Sequence, residues 1–262
     1  MQNLKGLSEV APQYDGILFD IYGVIHNGVA CFPEAITCLQ ALTAAGIPYS
    51  FLSNMPLRAH QVQASLMRRG MPEALAAGAL TSGEAVHRAL SGEGYGKGYV
   101  FQGPDSTRGI VPAGYTEVAL PEADFVLVSG IGDTEGPEDY AELLETALAR
   151  GLPMICANPD LKVGHGDKMV SCAGLLVDAY EHMGGDARWM GKPHKAVFAM
   201  AQEMLGGKLL MVGDSLRTDI AGAQGAGLDT VFVRSGIHVG AEEAMFAQEN
   251  VYPKFTLPQL IW

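Results

Sequence analysis

Both ends of the chain alternate short apolar segments with segments of helical periodicity, and this alternation restricts the fold more than any other feature. The first third contains predicted strands at 17–19 and 47–52 and predicted helices at 33–45 and 57–69. The last third contains predicted helices at 195–205 and 218–226 and predicted strands at 209–212 and 230–233. Strands separated by helices of this length indicate βαβ units. We therefore predict a Rossmann-like, doubly wound parallel sheet.

The middle of the chain has strands and helices of its own. Its predicted elements are strands at 99–102, 125–129 and 154–157 and helices at 137–150 and 172–183. Glycine-rich segments at 91–98 and 184–185 mark its edges. We interpret residues 81–186 as an inserted α/β cap domain and residues 1–80 and 187–262 as the two parts of the core. The alternative is one continuous doubly wound sheet.

Composition excludes several classes of protein. With 262 residues, 48% of them hydrophobic, and 33 glycines, the chain has the composition of a globular α/β protein rather than a disordered one. The formal charge of −12 argues against a nucleic-acid partner, which would need a basic face. An acidic protein that acts on anionic substrates needs local cations, and a divalent metal usually supplies them.

The four cysteines lie in apolar contexts without C-x-x-C spacing, which favours buried thiols in a reducing compartment; they are Cys31, Cys38, Cys156 and Cys172. The first fifteen residues lack the apolar core of a signal peptide, and no segment approaches the about 20 apolar residues of a membrane span. We therefore expect a cytoplasmic protein that does not contact a membrane.

Polar residues recur where predicted strands end or loops begin. They are Asp20 with Gly23, Ser53 with Asn54, Lys192 within Gly191-Lys192-Pro193, and Asp214 with Asp219. Each has an ordinary explanation taken singly, such as a turn, a helix cap or a solvated surface charge. The carboxyl ends of parallel strands, however, meet at the edge where open α/β sheets bind ligands.

Taken together, these residues suit phosphoryl transfer. Asp20 supplies a carboxylate nucleophile that can form an aspartyl-phosphate, and Asp20 and Asp214 offer hard oxygen ligands to Mg²⁺. Lys192 adds a fixed cation, while Ser53, Asn54 and the N–H groups of the loop at Gly23 could donate to the phosphoryl oxygens. Asp219, with Ser215 nearby, would orient Lys192 or a water molecule from a supporting position.

Five phrases of the sequence occur in the order found in one known family. They are Leu52-Ser53-Asn54, Thr81-Ser82-Gly83, Ala157-Asn158-Pro159-Asp160, Gly191-Lys192-Pro193-His194 and Gly213-Asp214-Ser215-Leu216-Arg217-Thr218-Asp219. From residue 14 to residue 238 the chain resembles the haloacid dehalogenase-like hydrolases. The insertion resembles the C2 cap of their class IIA branch, which includes 4-nitrophenylphosphatase-like and pyridoxal-phosphatase-like enzymes. The resemblance implies a metal site formed by Asp20, Asp214 and the backbone carbonyl of Tyr22.

Tyr22 departs from the pattern of this family. Its phosphatases carry a second Asp at this position, which protonates the leaving oxygen and later activates water. A phenol, with an unperturbed pKa of about 10, can donate a proton but is a poor base at neutral pH. A subset of class IIA relatives is similar in having an aromatic residue here followed by Gly-Val. His26 is a candidate substitute, although it also fits a turn residue before Asn27-Gly28.

The leading hypothesis is a Mg²⁺-dependent hydrolase that acts on a small phosphorylated metabolite, such as a sugar or cofactor phosphate. Arg108, Asn158 and Asp160 are candidate cap contacts to the substrate, and the resemblance implies a homodimer through the cap. The first alternative is a catalytically degenerate relative that binds a phosphorylated ligand or a partner without efficient turnover. The second is C–halogen hydrolysis, which shares the Asp nucleophile but gives Asp214 no role as a metal ligand.

Overall fold

The computed structural model describes residues 1–92, 94–165, 168–234 and 242–262. Within them the strands are β1 Gln2–Asn3, β2 Gly16–Phe19, β3 Tyr49–Ser53, β4 Ala79–Thr81, β5 Gly98–Gln102, β6 Thr116–Glu117, β7 Phe125–Val128, β8 Met154–Cys156, β9 Lys162–His165, β10 Lys168–Ser171, β11 Ala187–Trp189, β12 Leu209–Gly213, β13 Asp229–Val233 and β14 Phe255–Leu257. The α-helices are α1 Pro33–Ala44, α2 Ala59–Arg68, α3 Ser82–Ser91, α4 Ala141–Ala149, α5 Ala173–His182, α6 Lys195–Leu205, α7 Gly222–Gly225 and α8 Glu242–Glu249. A π-helical segment, Leu216–Ala221, precedes α7.

The first compact unit contains residues 1–53, 59–80 and 192–262. Its sheet has the strand order β1-β14-β13-β12-β2-β3-β4, and pairing is parallel from β1 through to β3. The order runs outward in both directions from the neighbours β12 and β2, as a doubly wound sheet requires. Leu18, Leu52 and Met211 on the strands pack with Phe198 of α6 in a buried cluster. The sheet core predicted from the two terminal thirds is confirmed.

The second compact unit contains residues 54–58 and 81–191. Its parallel sheet has the order β11-β8-β7-β5-β6, and β9 and β10 form a separate antiparallel hairpin. Val126, Met154 and Tyr180 lie in one of its buried clusters. Because the two parallel sheets are separate, the alternative of a single continuous sheet is wrong.

The main part of the second unit begins at Thr81, the sequence-based boundary, but it ends at Gly191 instead of 186, and the unit also contains residues 54–58. Ala187–Trp189 is a strand that pairs in parallel with Met154–Cys156, so it completes the second sheet instead of opening the core. The glycines at 184 and 185 therefore form a turn inside the unit and not its edge. Residue 93 of the glycine-rich segment, and the end of the family resemblance at residues 235–238, lie outside the described residues.

Two further predictions concern the whole chain. The four cysteines are free and buried. Among the residues that the structure describes, none of the helices has both the length and the apolar character needed to cross a bilayer.

Candidate active site

Three neighbouring strands of the first unit bring polar residues to one edge of the sheet. In the parallel register, Phe19 lies opposite both Val212 and Phe51, so β2, β12 and β3 end at the same level. Asp20 follows β2, and its backbone N–H donates to the carbonyl of Val212 at 2.9 Å. Asp214 follows β12, and the buried Ser53 is the last residue of β3.

Lys192 connects two of the carboxylates. Its Nζ lies 2.5 Å from Oδ1 of Asp20 and 2.6 Å from Oδ1 of Asp219. The side chains of Lys192, Asp20 and Asp219 are only 3%, 13% and 1% exposed, so solvent screens these ion pairs weakly. Residues far apart in the chain thus form one buried charged group.

Asp219 also fixes the backbone at the end of β12. Its Oδ2 accepts from the N–H groups of Asp214 at 3.1 Å and Ser215 at 3.0 Å. A Cβ atom at Gly213 would lie 2.3 Å from Oδ2 of Asp219, so the close approach requires glycine there. Ser215 in turn accepts from the N–H of Thr218 at the start of the π-helical segment. Asp219 therefore positions Asp214 through the backbone and Asp20 through Lys192.

The acidic group has the donor set of a magnesium site. Asp20, Asp214 and Asp219 each present a carboxylate oxygen, and the three oxygens lie within 4.8 Å of one another. Hard oxygen ligands of this kind suit Mg²⁺, which binds proteins through one or two carboxylates and keeps several waters. Lys192 offsets only part of the negative charge of three ionised carboxylates. The residues present therefore fit a divalent cation.

Burial and neighbouring charges have opposite effects on the pKa values of Asp20 and Lys192. Burial raises the pKa of Asp20 to about 7, although the Lys192 ammonium lowers it. Burial lowers the pKa of Lys192, but the carboxylates of Asp20 and Asp219 outweigh this effect and raise the pKa above its ordinary value. Lys192 is therefore a fixed cation at neutral pH, and any bound cation would favour the ionised form of Asp20.

The loop after Asp20 differs in part from its predicted role. Gly23 has a φ of +85°, which suits the predicted turn, but its N–H donates to the carbonyl of His26 at 2.8 Å. That N–H is therefore engaged within the loop and does not point to a phosphate. Tyr22 is 48% exposed, and its ring centroid lies 5.9 Å from that of His26.

His26 is poorly suited to replace the missing Asp. It is buried, and its Nδ1 accepts from the N–H of Gly28 at 2.9 Å. Burial, with a smaller contribution from Arg69, lowers the pKa of His26 to about 4. The imidazole is thus neutral at physiological pH and serves the turn, the alternative that the sequence left open.

The remaining predicted residues lie in the second unit. The Asn54 side-chain amide donates to Oδ1 of Asp160 at 2.9 Å, and Oδ1 of Asn158 accepts from the backbone N–H of Asp160 at 3.2 Å. Asn158-Pro159-Asp160 thus forms the ordinary turn that such a sequence favours. Arg108 pairs with Asp105 and Glu117, and its guanidinium lies 4.4 Å from the centroid of the Phe101 ring. The predicted substrate contacts of Arg108, Asn158 and Asp160 remain predictions.

The sequence did not indicate how closely Asp219 approaches the nucleophile. We predicted Asp219 as a supporting residue, but its carboxylate belongs to the same group of oxygens as Asp20 and Asp214. The signal available in the sequence was the spacing between Asp214 and Asp219. If a helical turn joined these residues, their side chains would lie on the same side of it. The π-helical segment Leu216–Ala221 could not be predicted from that spacing.

We expect Lys192→Met to lower the free energy of unfolding by about 3–5 kcal/mol, because breaking a buried ion pair leaves uncompensated charges behind. Urea denaturation in EDTA measures the effect. Lys195→Met is the matched control, since Lys195 is exposed at the start of α6. Equal stability of the two variants would contradict a structural role for the Lys192 ion pairs.

Known proteins share both the sequence and the fold of this chain. A family model described as haloacid dehalogenase-like hydrolase matches residues 17–116, and one described as HAD-hydrolase-like matches residues 189–260. The solved structure of a haloacid dehalogenase-like hydrolase from Brucella suis 1330 is 30% identical, with a TM-score of 0.84. The match covers 98% of this chain and 100% of that one.

Among the relatives with more specific names are a nucleotidase and a phosphatase. The 5'-nucleotidase YutF of Bacillus subtilis is 27% identical over 229 residues, which cover 86% of this chain and 88% of that protein. Glycerol phosphate phosphatase Rv1692 of Mycobacterium tuberculosis, solved in complex with calcium, is 27% identical with a TM-score of 0.70. That match covers 87% of this chain and 68% of the other. The chain thus belongs to the haloacid dehalogenase-like hydrolase family, in the class IIA branch with a C2-type cap.

Proposed function

We propose that this hydrolase is a Mg²⁺-dependent phosphatase that acts on small phosphorylated metabolites, with Asp20 as the nucleophile. The observation that carries the proposal is the buried contact of Asp20 with Lys192 inside a group of three carboxylates. This arrangement provides a nucleophile, a fixed cation and metal ligands at one strand edge. The names of the nucleotidase and glycerol phosphate phosphatase relatives support phosphate esters as the substrate class.

The proposed chemistry begins at the oxygen of Asp20 that Lys192 does not hold. That oxygen attacks phosphorus, the bond from phosphorus to the leaving oxygen breaks, and an aspartyl-phosphate forms while the leaving oxygen takes a proton from water. Lys192 keeps the carboxylate oriented, and the Ser53 hydroxyl donates to a phosphoryl oxygen. Water then attacks the phosphorus of the aspartyl-phosphate, which releases phosphate and restores Asp20.

The side chains of Asp20 and Asp214, with the carbonyl of Tyr22, would hold the metal. When bound, Mg²⁺ offsets the repulsion between carboxylates and phosphate and stabilises charge in the transition state. Asp219 would keep Asp214 aligned through the two N–H groups that it binds. The relative solved in complex with calcium supports the binding of a divalent ion.

A screen of phosphorylated metabolites tests the proposal. With Mg²⁺, the purified protein should release phosphate from at least one sugar, nucleotide or cofactor phosphate. EDTA should reduce the rate by at least about 100-fold, because metal stabilisation contributes several kcal/mol, and added Mg²⁺ should restore it. A rate that EDTA leaves unchanged would contradict metal dependence.

A second candidate function is binding of a phosphorylated ligand or a partner without efficient turnover. Tyr22 favours it, because a phenol stands where phosphatases of the family carry a second Asp, and within the described residues its hydroxyl has no hydrogen-bond partner. A screen without phosphate release, together with calorimetric binding of a phosphorylated metabolite, would support this candidate over the first.

We also propose a cellular location and an oligomeric state for this protein. Four free, buried thiols and a formal charge of −12 support a cytoplasmic protein without a nucleic-acid partner. A homodimer through the cap remains a prediction from the family resemblance. Light scattering of the purified protein measures its mass against the 27.7 kDa of one chain.

A further inference from the structure

The loop that begins at the nucleophile holds Tyr22 in a defined position. The N–H groups of Ile25 and His26 both donate to the carbonyl of Ile21, at 2.9 and 3.2 Å. The N–H of Gly23 donates back to the carbonyl of His26. Residues on both sides of Tyr22 are therefore fixed by backbone hydrogen bonds.

The ring of Tyr22 packs on one side and is open on the other. It meets the His26 ring at an interplanar angle of 87°, and His26 is itself held by the N–H of Gly28. A Cβ atom at Gly28 would lie 3.3 Å from Cε2 of Tyr22. Almost half of the tyrosine is nevertheless exposed. The ring is thus oriented by the protein without being buried by it.

The side chains of this loop carry no formal charge of their own, and the one cation bonded to the loop within the described residues is Arg69, whose Nε donates to the carbonyl of Gly28 at 3.0 Å. Residues 21–33 contain no Asp, Glu, Lys or Arg. Val29 is 82% exposed, so the loop presents two exposed apolar side chains. Single exposed apolar residues are common on proteins and need no function. Here they share one short loop with the nucleophile, and the larger of them is held in place.

We propose that Tyr22 is a specificity-determining residue that packs against a planar ring in the leaving group of the phosphate ester. This inference rests on the proposed function. In the proposed function, Asp20, Asp214 and Lys192 act at the phosphate group of a substrate. The neighbouring loop, whose own side chains carry no formal charge, would contact the leaving group. Aromatic rings favour offset-stacked or edge-to-face pairs with other rings. Tyr22 can therefore select a flat leaving group over a puckered one of equal size.

Benzyl phosphate and cyclohexylmethyl phosphate form a matched pair for the test. Both are esters of primary alcohols and have similar size, but only the first carries a planar ring. For the wild type, kcat/KM for benzyl phosphate should exceed that for cyclohexylmethyl phosphate by about 2- to 10-fold, the range expected of an aromatic pair. Tyr22→Leu should lower the ratio by about the same factor, whereas Tyr22→Phe should keep it; any difference in leaving-group acidity cancels in the comparison of variants.

Tyr252→Leu is the control, because Tyr252 lies in the same unit and is likewise exposed, at 54%. It should leave the ratio at the wild-type value. A wild-type ratio near one, or an unchanged ratio in Tyr22→Leu, would overturn the inference.

Binding of benzylphosphonate and cyclohexylmethylphosphonate, measured by calorimetry with Mg²⁺, separates this inference from the proposed function. Phosphonates are not hydrolysed, so they report on recognition alone. Selective binding without turnover of any phosphate would reject the phosphatase and retain the role of Tyr22. Turnover of both esters, with no preference for the planar ring in either kcat/KM or binding, would support the phosphatase and reject the role of Tyr22.

Discussion

Asp20→Asn should abolish phosphate release, with a fall of at least about 10⁴-fold in kcat, as expected when the group that forms the covalent intermediate is removed. The amide keeps the shape of the side chain and can still accept a hydrogen bond from Lys192. It cannot attack phosphorus effectively, and it contributes no charge to a metal site. A steady-state assay with the best substrate of the screen measures the loss.

The stability of the same variant distinguishes lost chemistry from lost structure. Because folding raises the pKa of Asp20 from 3.8 to about 7, the folded state binds more protons between these values, and stability falls as the pH rises through them. Asp20→Asn removes this loss. The substitution also removes one of the two ion pairs of Lys192, although the pair with Asp219 remains. We therefore expect its melting temperature at pH 8, without metal, to lie close to that of the wild type.

Glu203→Gln is the matched control for charge, since Glu203 is exposed on α6 and also loses one carboxylate. It should keep both the activity and the stability of the wild type. Activity of Asp20→Asn equal to that of this control would remove Asp20 from the mechanism.

Tyr22→Asp should raise kcat for an alkyl phosphate by about 10²-fold or more, because general acid–base catalysis contributes roughly 10²–10⁴-fold. The substitution places a carboxyl group where the exposed phenol stands, beside an already formed group of nucleophile, cation and metal ligands. The exposed position should accept it at little cost in stability. The same steady-state assay measures the gain.

Tyr22→Asn provides the comparison that isolates proton transfer. It matches Asp in size but cannot act as acid or base, so it should show no comparable gain. A gain confined to Tyr22→Asp would show that the wild-type site lacks only a group for proton transfer. This result would support the alternative of a catalytically degenerate relative without efficient turnover. Loss of activity in both Tyr22→Asp and Tyr22→Phe would instead assign the phenol a part in the reaction.

Local features of the fold could be predicted from sequence, because they depend on residues close together in the chain. The helix at 195–205 has the predicted ends, since its apolar stripe ends where Gly206 begins. The strand at 187–189 could not be assigned to the second sheet, because its pairing partner, Met154–Cys156, lies about thirty residues away. Sequence periodicity identifies elements, but it does not identify their partners.

The sequence predicted which residues form the site better than it predicted the contacts that those residues make. Asp20, Lys192 and Asp214 were named because phosphoryl transfer needs a nucleophile, a cation and metal ligands. The hydrogen bonds that occupy Gly23 and Asn54 were not foreseeable, since each partner comes from the local loop or from a distant turn. The lowered pKa of His26 likewise depends on burial, which a single sequence does not reveal.

The two compact units divide the chain at positions that matter for its evolution. The inserted stretch ends at Gly191, and Lys192 is the first residue after it; Ser53 likewise precedes residue 54, where the chain first leaves the core. The groups proposed to carry the reaction are therefore encoded entirely on the segments that flank these joints. Recombination that replaced both segments of the second unit, residues 54–58 and 81–191, with those of another relative would transfer a whole folding unit and leave the encoded reaction chemistry unaltered.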